Sequence, residues 1–338
     1  MGVDIADIVP SDKKRLKDLR GRTVAIDAFN AIYQFLAIIR QPDGTPLRDS
    51  RGRTTSHLSG LVYRNANLLQ MGIRPVYVFD GEPPKLKSTT IATRMAAREI
   101  AEKEWREALA VGDLERARIK AQASSRLSKE MVEQSKELLT FLGIPHVQAP
   151  CEGEAQASDM TKKGDVWAAA SQDFDSLLFG APRLLRNLTI SGRRRAARGG
   201  YVEAVPELVS LESTLEALQI TREQLVGMAL LVGTDFNEGI KGIGPKKALL
   251  LIRRHGDIET VCEKEGFDIE NVQEIRQLFL EPVVSDDYQL EWSEPDVDGT
   301  VSYLRDEFDF SEKRVRKALQ KIAEGRSLMR QRSLNQWV

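Results

Sequence analysis

The chain has 338 residues, which is enough for one large domain or two ordinary ones. Its composition, 41% hydrophobic and 29% charged, is typical of a globular protein and excludes a disordered chain. No apolar run approaches the roughly 20 residues that span a bilayer, so no membrane association is predicted. A formal net charge of −1 disfavours a nucleic-acid-binding protein on charge alone, unless acidic and basic residues are gathered in different places.

The cysteine and histidine content predicts a reducing, intracellular compartment. Two cysteines, Cys151 and Cys262, and three separated histidines form neither a zinc-binding pattern nor a disulfide framework. The first residues, MGVDIADIVP, carry acids where a secretory signal would be apolar.

Three strand-to-helix units follow one another, and each places an aspartate after an apolar strand. Residues 23–26 predict a strand that ends at Asp27, residues 76–79 one that ends at Asp80, and GDVWAAASQDFD one that ends at Asp173. Strands alternating with helices predict an α/β fold with a mainly parallel central sheet flanked by helices. The carboxyl ends of parallel strands share one edge of the sheet, where ligands bind. These aspartates should therefore lie together.

Two later segments depart from this pattern. Residues 85–130 are rich in Lys, Arg, Glu and Ala and are broken at 110–113, which predicts two exposed helices forming a hairpin or arch. From residue 222 the chain becomes helical. The predicted organisation is a core at 1–221 that includes the arch at about 85–130, a helical region at 222–325 packed on it, and a flexible tail at 326–338.

Seven acidic residues follow an apolar strand or helix, or open a helix: Asp27, Asp80, Glu152, Glu154, Asp173, Asp175 and Asp235. Carboxylates gathered within a few ångströms repel one another, and a divalent cation relieves that repulsion. Mg²⁺ prefers oxygen ligands and keeps part of its water, so a pool of acids suits it. Each acid taken alone is better explained as a helix cap, but the recurrence of acid-x-acid pairs favours a metal site. The pair at 152 and 154 can act jointly only if Glu152 precedes its helix.

The segment GIKGIGPKKALLLIRRHG at 239–256 predicts a helix-hairpin-helix. Gly242 and Gly244 let backbone N–H groups approach a phosphate closely, beside the start of the following helix. Lys246 and Lys247 add positive charge without reading base sequence. An ordinary glycine-rich helix connection is the alternative.

Six motifs together resemble the structure-specific 5′ nuclease superfamily, and within it the archaeal form of the flap endonucleases. They are AIDAFNAIYQF, PVYVFDGEPPKLK, EGEAQA, SQDFDSLLFG, LVGTDFNEGIKGIGPKKA and QRSLNQWV, in that order over nearly the whole chain. The resemblance implies the PIN-like 5′ nuclease fold, with a helical arch and a helix-hairpin-helix (helix-two-turn-helix). It also implies cleavage of 5′ flaps on branched duplex DNA in replication (Okazaki fragment maturation) and repair, with 5′–3′ exonuclease activity.

The same resemblance assigns the chemistry to particular residues. It implies that the seven acids hold two Mg²⁺ ions, for which Mn²⁺ can substitute, and that these ions support hydrolysis of one phosphodiester. It further implies that Lys87 and Arg94, at the base of the arch, contact the scissile phosphate and stabilise its charge in the transition state.

The resemblance also implies a set of DNA contacts. Tyr33 matches the aromatic residue on which a base near the scissile bond stacks, and Thr55 matches a pocket that accepts a one-nucleotide 3′ flap. Gly2 matches the start of the family sequence, which packs near the site, and Arg40 is a further expected DNA contact. The carbonyl groups expected to hold a monovalent cation, K⁺, beside the duplex are those of Gly239, Ile240 and Ile243.

The segment QRSLNQWV resembles the box that binds a sliding clamp of the PCNA type. Gln331, Leu334 and Trp337 fit that box, whereas Val338 departs from it because an aromatic residue is usual there. A sliding clamp is therefore an expected partner. Eukaryotic relatives continue with a basic tail, so the resemblance favours an archaeal, cytoplasmic setting over a nuclear one, and a monomer is expected.

Two alternatives stay open on the sequence. A non-catalytic DNA-binding clamp adaptor would use only the hairpin and the C-terminal box, although it has no reason to keep seven acids. A gap-directed 5′ exonuclease or a four-way-junction resolvase would share those acids; the short chain and terminal clamp box favour the flap enzyme.

Overall fold

The computed structural model describes the backbone of residues 2–189, 193–195, 201–203 and 205–335. The strands in these ranges are β1 (Asp12–Lys13), β2 (Thr23–Asp27), β3 (Arg74–Phe79), β4 (His146–Gln148), β5 (Ala168–Ala170), β6 (Arg183–Arg186), β7 (Arg193–Arg195), β8 (Tyr201–Glu203) and β9 (Glu207–Ser210). The helices are α1 (Ala28–Ile38), α2 (Ser56–Gln70), α3 (Ser88–Ala110), α4 (Leu114–Ala123), α5 (Lys129–Phe141), α6 (Gly153–Lys163), α7 (Asp175–Leu178), α8 (Leu211–Leu218), α9 (Arg222–Val232), α10 (Pro245–His255), α11 (Ile258–Glu265), α12 (Val272–Leu280), α13 (Val297–Ser302) and α14 (Glu312–Asn335).

A single large sheet organises the described residues, with strand order β1-β9-β6-β5-β2-β3-β4. The central strand β2 pairs in parallel with β3 and β5, and the pairs β3–β4 and β5–β6 are also parallel. Only β9 introduces antiparallel pairing among these strands, with β6 and β1. All five residues of β2, TVAID, are buried, as expected for a parallel strand covered by helices on both faces. The predicted mainly parallel α/β sheet is confirmed.

The third predicted strand ends earlier than the sequence suggested. β5 stops at Ala170, three residues before Asp173, so the prediction that this strand runs to Asp173 is wrong. The physical reason is a local turn, in which the Asp173 N–H donates to Ser171 Oγ at 3.2 Å and removes the backbone from the sheet ladder. The two aspartates of SQDFD therefore lie on a loop and at the start of α7.

The arch consists of α3 and α4, which agrees with the two exposed helices predicted there. Gly112, with φ +75°, makes the sharp connection between them, and Asp113 caps α4 by accepting the Arg116 N–H at 3.0 Å. The two helices pack through small side chains, which allow their backbones to approach closely. The buried members of this contact are Ala101, Ala108, Ala117 and Ala121.

The helices after residue 222 pack against two different parts of the molecule. α9 to α12 form a hydrophobic cluster with α7, whereas α13 and the first part of α14 pack into the cluster that contains β2, α1 and α2. Gly325 of α14 lies against the Leu69 backbone, where a Cβ would overlap the Leu69 carbonyl oxygen. Within the described residues, no helix is both long and apolar enough to cross a membrane.

The last helix extends into the region for which the sequence predicted a flexible tail. α14 continues to Asn335, so residues 326–335 are helical, while the flexibility of this tail stays a prediction. Arg326 anchors the helix at this point, because its Nη2 donates to the Gly143 carbonyl oxygen at 3.0 Å and its Nη1 to the Ser293 carbonyl oxygen. Neither contact could be inferred from the local sequence.

Candidate active site

Asp27 and Asp80 lie at the carboxyl ends of the two central strands. Asp27 ends β2 and caps α1, because its carboxylate accepts the Asn30 N–H at 3.0 Å. Asp80 directly follows β3, and its carboxylate accepts the Gly153 N–H at 2.7 Å. Because β2 and β3 are parallel, with Asp27 opposite Val78, the two acids share one edge of the sheet.

The start of α6 brings two glutamates to the same edge. Glu152 precedes the helix in extended backbone, and α6 begins at Gly153, as a joint role for the two glutamates requires. Glu154 lies in the first turn, where its carboxylate accepts a hydrogen bond from Ser176 Oγ at 3.3 Å. Glu152 interacts electrostatically with Asp80, whereas Glu154 interacts with other acids of the set.

The loop after β5 supplies the second acid-x-acid pair. Asn30 Nδ2 donates to Asp173 Oδ2 at 3.3 Å. Asp175, the first residue of α7, is only 4% exposed, and its Oδ1 accepts the Val3 N–H at 2.8 Å. Phe174, between the two aspartates, is buried in the hydrophobic cluster of α7 and α9.

Asp235 reaches the site from the helical side, on the loop between α9 and α10. Gly233 and Gly239 close this loop, with φ +109° and +70°, and a Cβ on Gly239 would lie 2.5 Å from the Gly233 nitrogen. The Thr234 hydroxyl donates to Asn237 Oδ1 at 2.8 Å and stiffens the turn. The segment GTDFNEG therefore forms a short, tight loop, which places the Asp235 carboxylate beside the other acids.

Burial and mutual repulsion raise the pKa of several of these acids. Burial and the neighbouring Asp80 carboxylate raise the pKa of Asp27, and burial and Glu152 raise the pKa of Asp80 to about 6. Burial raises the pKa of Asp175 to about 7, and burial together with Asp175 raises the pKa of Glu154 well above its ordinary value. Burial and the neighbouring carboxylates therefore disfavour the simultaneous ionisation of these acids in the protein alone.

Two cations from the base of the arch lie among the acids. Lys87 Nζ donates to Glu152 Oε2 at 2.6 Å and lies 3.7 Å from Asp235 Oδ2, while Arg94 Nη2 forms an ion pair with Asp235 Oδ1. Burial alone would lower the pKa of Lys87, but Glu152 and Asp80 outweigh it and raise the pKa above the ordinary value for lysine. The positive charge of the arch is thus already directed at the acid cluster.

The side chains of the cluster fit a hard divalent cation in chemistry and in charge. All seven donors are carboxylates, which are the ligands that Mg²⁺ prefers in proteins. Within the described ranges, no three Asp, Glu, His or Cys side chains are already arranged as a coordination shell. Two of the seven acids instead pair with Lys87 and Arg94, so a metal ion would compete with these ion pairs.

Comparison with known proteins places this arrangement in a family. Residues 4–101 match the family model described as XPG N-terminal domain, and residues 143–235 match the XPG I-region. The chain is 55% identical over 338 residues to flap endonuclease 1 from Methanothermobacter thermautotrophicus, with 100% of both chains covered. It is 50% identical over 338 residues to flap endonuclease 1 from Methanosarcina acetivorans, again with 100% of both covered. The chain belongs to the flap endonuclease family.

Solved structures agree with the flap endonuclease fold. Flap endonuclease-1 from Methanococcus jannaschii matches with a TM-score of 0.77 at 45% identity, covering 95% of this chain and 98% of that one. The catalytic core of Rad2 in complex with a DNA substrate matches with a TM-score of 0.72 at 24% identity, covering 95% and 100%, which is a likeness in fold. The fold expected from the motifs is confirmed.

Tyr33 lies on α1 beside the arch. The Arg98 guanidinium is 4.7 Å from the centroid of the Tyr33 ring, a cation–π contact that links α3 to α1. Sequence analysis missed Arg98. The signal that could have identified it is the spacing of four residues from Arg94, which places both guanidinium groups on one face of α3.

Asn30 is a second residue that sequence analysis missed. Its backbone N–H contacts Asp27 and its side-chain amide contacts Asp173, so it joins two acids that come from different strand-to-helix units of the chain. Its position three residues after Asp27 in AIDAFN identifies it as the partner of a helix cap, but not as a partner of Asp173.

Gly2 lies against the acid cluster. A Cβ at this position would overlap the Asp175 carboxylate, and the next residue, Val3, donates its N–H to the same carboxylate. The structure therefore explains why a residue without a side chain stands here, while the DNA contact expected of Gly2 stays a prediction.

Two further residues expected to contact DNA are held by neighbouring groups in the protein. Arg40 donates from Nε to the Leu36 carbonyl oxygen at 2.8 Å, from Nη1 to the Gly44 carbonyl oxygen at 2.6 Å, and from Nη2 to Ser125 Oγ at 2.9 Å. Thr55 precedes α2 and is only 5% exposed. The DNA contacts expected of both residues stay predictions.

The backbone of the predicted helix-hairpin-helix is accessible at two glycines. Gly242 has φ +84°, Gly244 precedes α10, and a Cβ on either residue would find no atom within 4 Å. Lys246 and Lys247 are exposed in the first turn of α10. The backbone is thus accessible next to positive charge, as binding to a phosphate requires.

The predicted cation site lies within the described residues, whereas the predicted clamp-binding box does so only in part. The Ile240 carbonyl oxygen accepts the Ile243 N–H at 2.9 Å, and its binding of a monovalent cation, together with the carbonyl groups of Gly239 and Ile243, stays a prediction. In the clamp-binding box, Gln331 and Leu334 lie on α14 with side chains outside the described set, and Trp337 and Val338 lie outside the described residues.

Proposed function

We propose that this chain is a structure-specific endonuclease that cleaves 5′ flaps on branched duplex DNA and depends on a divalent metal. The observation that carries the proposal is the gathering of acids from strand ends, a helix start and two loops beside the two cations of the arch base. A helix-capping role accounts for each acid singly, but not for this convergence. Two of the relatives reported above bear the name flap endonuclease 1.

Two Mg²⁺ ions are the proposed cofactors, and Mn²⁺ is expected to substitute for them. Bound by the seven carboxylates, they would supply Lewis-acid activation of water and neutralise charge on the phosphodiester. Glu152 and Asp235, which pair with Lys87 and Arg94, would then be shared between these cations and the metal, and this weakens both ion pairs.

The side chains of the protein then position the DNA. Lys87 and Arg94 would approach the scissile phosphate and stabilise the negative charge that develops on it. Tyr33 would stack on a base next to the cleaved bond. The amides at Gly242 and Gly244 would hold a phosphate of the duplex, and such backbone contacts make the enzyme specific for DNA shape rather than sequence.

The test is incubation of an end-labelled 5′-flap substrate with the full chain in Mg²⁺, in Mn²⁺ or in EDTA. We expect cleavage near the junction in either metal and none in EDTA. If neither metal supports cleavage, the proposed function is wrong, and flap binding that persists in EDTA would then favour the clamp adaptor. Faster cleavage of gapped duplex or of a four-way junction would instead indicate a sibling 5′ exonuclease or resolvase.

Substitution of Gly153 by alanine tests the close packing at the start of α6. The new Cβ would lie 2.7 Å from Asp80 Oδ1, so the carboxylate must move. We expect kcat for flap cleavage to fall by at least ~10-fold, because a displacement of reacting groups by about 1 Å can cost ~100-fold. Helix propensity alone has the opposite sign, since alanine favours a helix over glycine by about 1 kcal/mol. Unchanged kcat would show that Asp80 tolerates the shift.

The clamp-binding box is proposed to recruit a sliding clamp. Deletion of residues 331–338 is expected to leave cleavage of isolated flap DNA within about twofold of the full chain, because the acid cluster lies on other elements. Stimulation of cleavage by a sliding clamp should disappear, as measured by flap cleavage with and without the clamp. Stimulation that survives the deletion would mean that another surface binds the clamp.

A further inference from the structure

Three phenylalanine rings connect the elements that carry Asp175 and Asp235. Phe279, at the end of α12, is fully buried. Its ring centroid lies 4.9 Å from that of Phe179 and 5.4 Å from that of Phe236, the latter in an edge-to-face arrangement at 75°. Phe279 therefore lies between the two other rings, and α12 is held against both.

Each of the outer rings belongs to the backbone that carries an acid. The Phe179 N–H donates to the Asp175 carbonyl oxygen at 3.0 Å, so Phe179 closes the single turn that Asp175 opens. Phe236 is the residue after Asp235, and its N–H donates to Thr234 Oγ1 at 3.1 Å within the tight loop. Both outer rings therefore belong to the short backbone segments that position the two acids.

Arg222 connects the end of α7 to the end of α12. Its Nε donates to the Leu178 carbonyl oxygen at 3.1 Å, and its Nη2 donates to the Phe279 carbonyl oxygen at 2.7 Å. These carbonyl groups lie at the ends of α7 and α12, where backbone oxygens have no partner within their own helix. One guanidinium thus fixes the turn of Asp175 against the helix that packs on the neighbour of Asp235.

We propose that Phe279 and Arg222, here called the brace, set the separation between Asp175 and Asp235. Both would be positioning residues for the metal-dependent reaction, and this inference rests on the proposed function. The two acids come from different segments, since Asp175 opens α7 and Asp235 lies on the loop after α9, and the brace connects these segments through α12. Small errors in such a separation are costly, because misplacement by about 1 Å can reduce a rate ~100-fold.

The variants separate positioning from general core stability. Phe279→Leu keeps an apolar side chain but removes the ring that contacts both neighbours. Ile275→Val is the matched control, since Ile275 is 1% exposed on the same helix, one turn earlier, and also loses core volume. Arg222→Met removes the hydrogen bonds to the Leu178 and Phe279 carbonyl groups but keeps a side chain of similar length. Arg222→Lys keeps one charged donor.

Cleavage assays give kcat, KM for flap DNA and the Mg²⁺ concentration at half-maximal cleavage. Calorimetry gives the affinity of the DNA-free chain for Mg²⁺. All measurements are made well below the melting temperature of each variant. We expect Phe279→Leu and Arg222→Met to lower kcat about 10-fold and to weaken Mg²⁺ binding about 10-fold, with KM within about twofold. Arg222→Lys should recover part of the loss, and Ile275→Val should match the wild type.

The proposed role of the brace is wrong if Phe279→Leu and Arg222→Met keep the kcat and the Mg²⁺ affinity of the wild type. It is also wrong if Ile275→Val lowers kcat and Mg²⁺ affinity as much as those two variants do. Failure of the proposed function gives a different result, namely a wild-type chain that cleaves no flap. Calorimetry still tests the brace in that case, because weaker Mg²⁺ binding by the variants would support it. A wild-type chain that binds no Mg²⁺ would overturn it.

Discussion

Replacing Asp175 with asparagine is expected to lower kcat for flap cleavage by ~1,000-fold or more. A neutral amide oxygen is a poor ligand for Mg²⁺, and loss of about 4 kcal/mol of transition-state stabilisation corresponds to ~1,000-fold in rate. The amide keeps the size of the carboxylate and can still accept the Val3 N–H, so the fold should be retained. Flap binding should be equal or tighter, because one negative charge leaves a site that approaches phosphate.

The experiment combines single-turnover cleavage with flap binding measured in Ca²⁺. Asp159→Asn is the matched control, because Asp159 lies on the far part of α6 and pairs with Lys163 at 2.6 Å. The control should cleave at the wild-type rate. If Asp175→Asn loses binding and cleavage in parallel, Asp175 acts in holding the structure rather than in the reaction.

The sequence could predict the acids that are positioned locally. Asp27 and Asp80 follow β-branched strands directly, so strand period and sheet direction place both at one edge. The condition on Glu152 also followed from helix geometry, because residues two apart inside a helix diverge. Asp173 was placed wrongly in the strand since a hydrogen bond to Ser171 ends the strand early, and such a bond competes with the sheet ladder without changing the apolar pattern.

Contacts between distant segments could not be predicted from one sequence. Arg98 faces Tyr33 and Phe279 lies between two other rings only because separate helices pack together. The same holds for α14, where Arg326 meets two carbonyl groups of other segments and the helix continues beyond the predicted start of the tail. Local patterns fix the elements, whereas these partners depend on tertiary packing.

Replacing Lys87 with alanine is expected to lower kcat by ~100-fold, with a much smaller change in KM for flap DNA. Removal of one preorganised donor to a developing negative charge typically costs ~100- to 1,000-fold. Lys87 is suited to this role because its amine lies among Glu152, Asp80 and Asp235 at the edge of the sheet. Lys85→Ala is the matched control, since Lys85 is exposed and lies with Lys87 in the 3-10 helix Lys85–Lys87 that precedes α3.

The same substitution should also change stability in a metal-dependent way. Glu152 and Asp80 raise the pKa of Lys87 despite its burial, so the amine stays charged through neutral pH and its contribution to stability is fully present there. That contribution is lost only as the pH rises beyond the ordinary lysine range. Without Lys87 the repulsion among the acids is opposed only in part, by Arg94 at Asp235, so the melting temperature of Lys87→Ala in EDTA should fall below that of Lys85→Ala. Mg²⁺ should narrow the gap, because the metal supplies the missing positive charge. If the difference in melting temperature between the two variants is the same in EDTA and in Mg²⁺, the metal and the lysine do not neutralise the same acids. If Lys87→Ala cleaves flap DNA as fast as Lys85→Ala does, the catalytic role assigned to Lys87 is wrong.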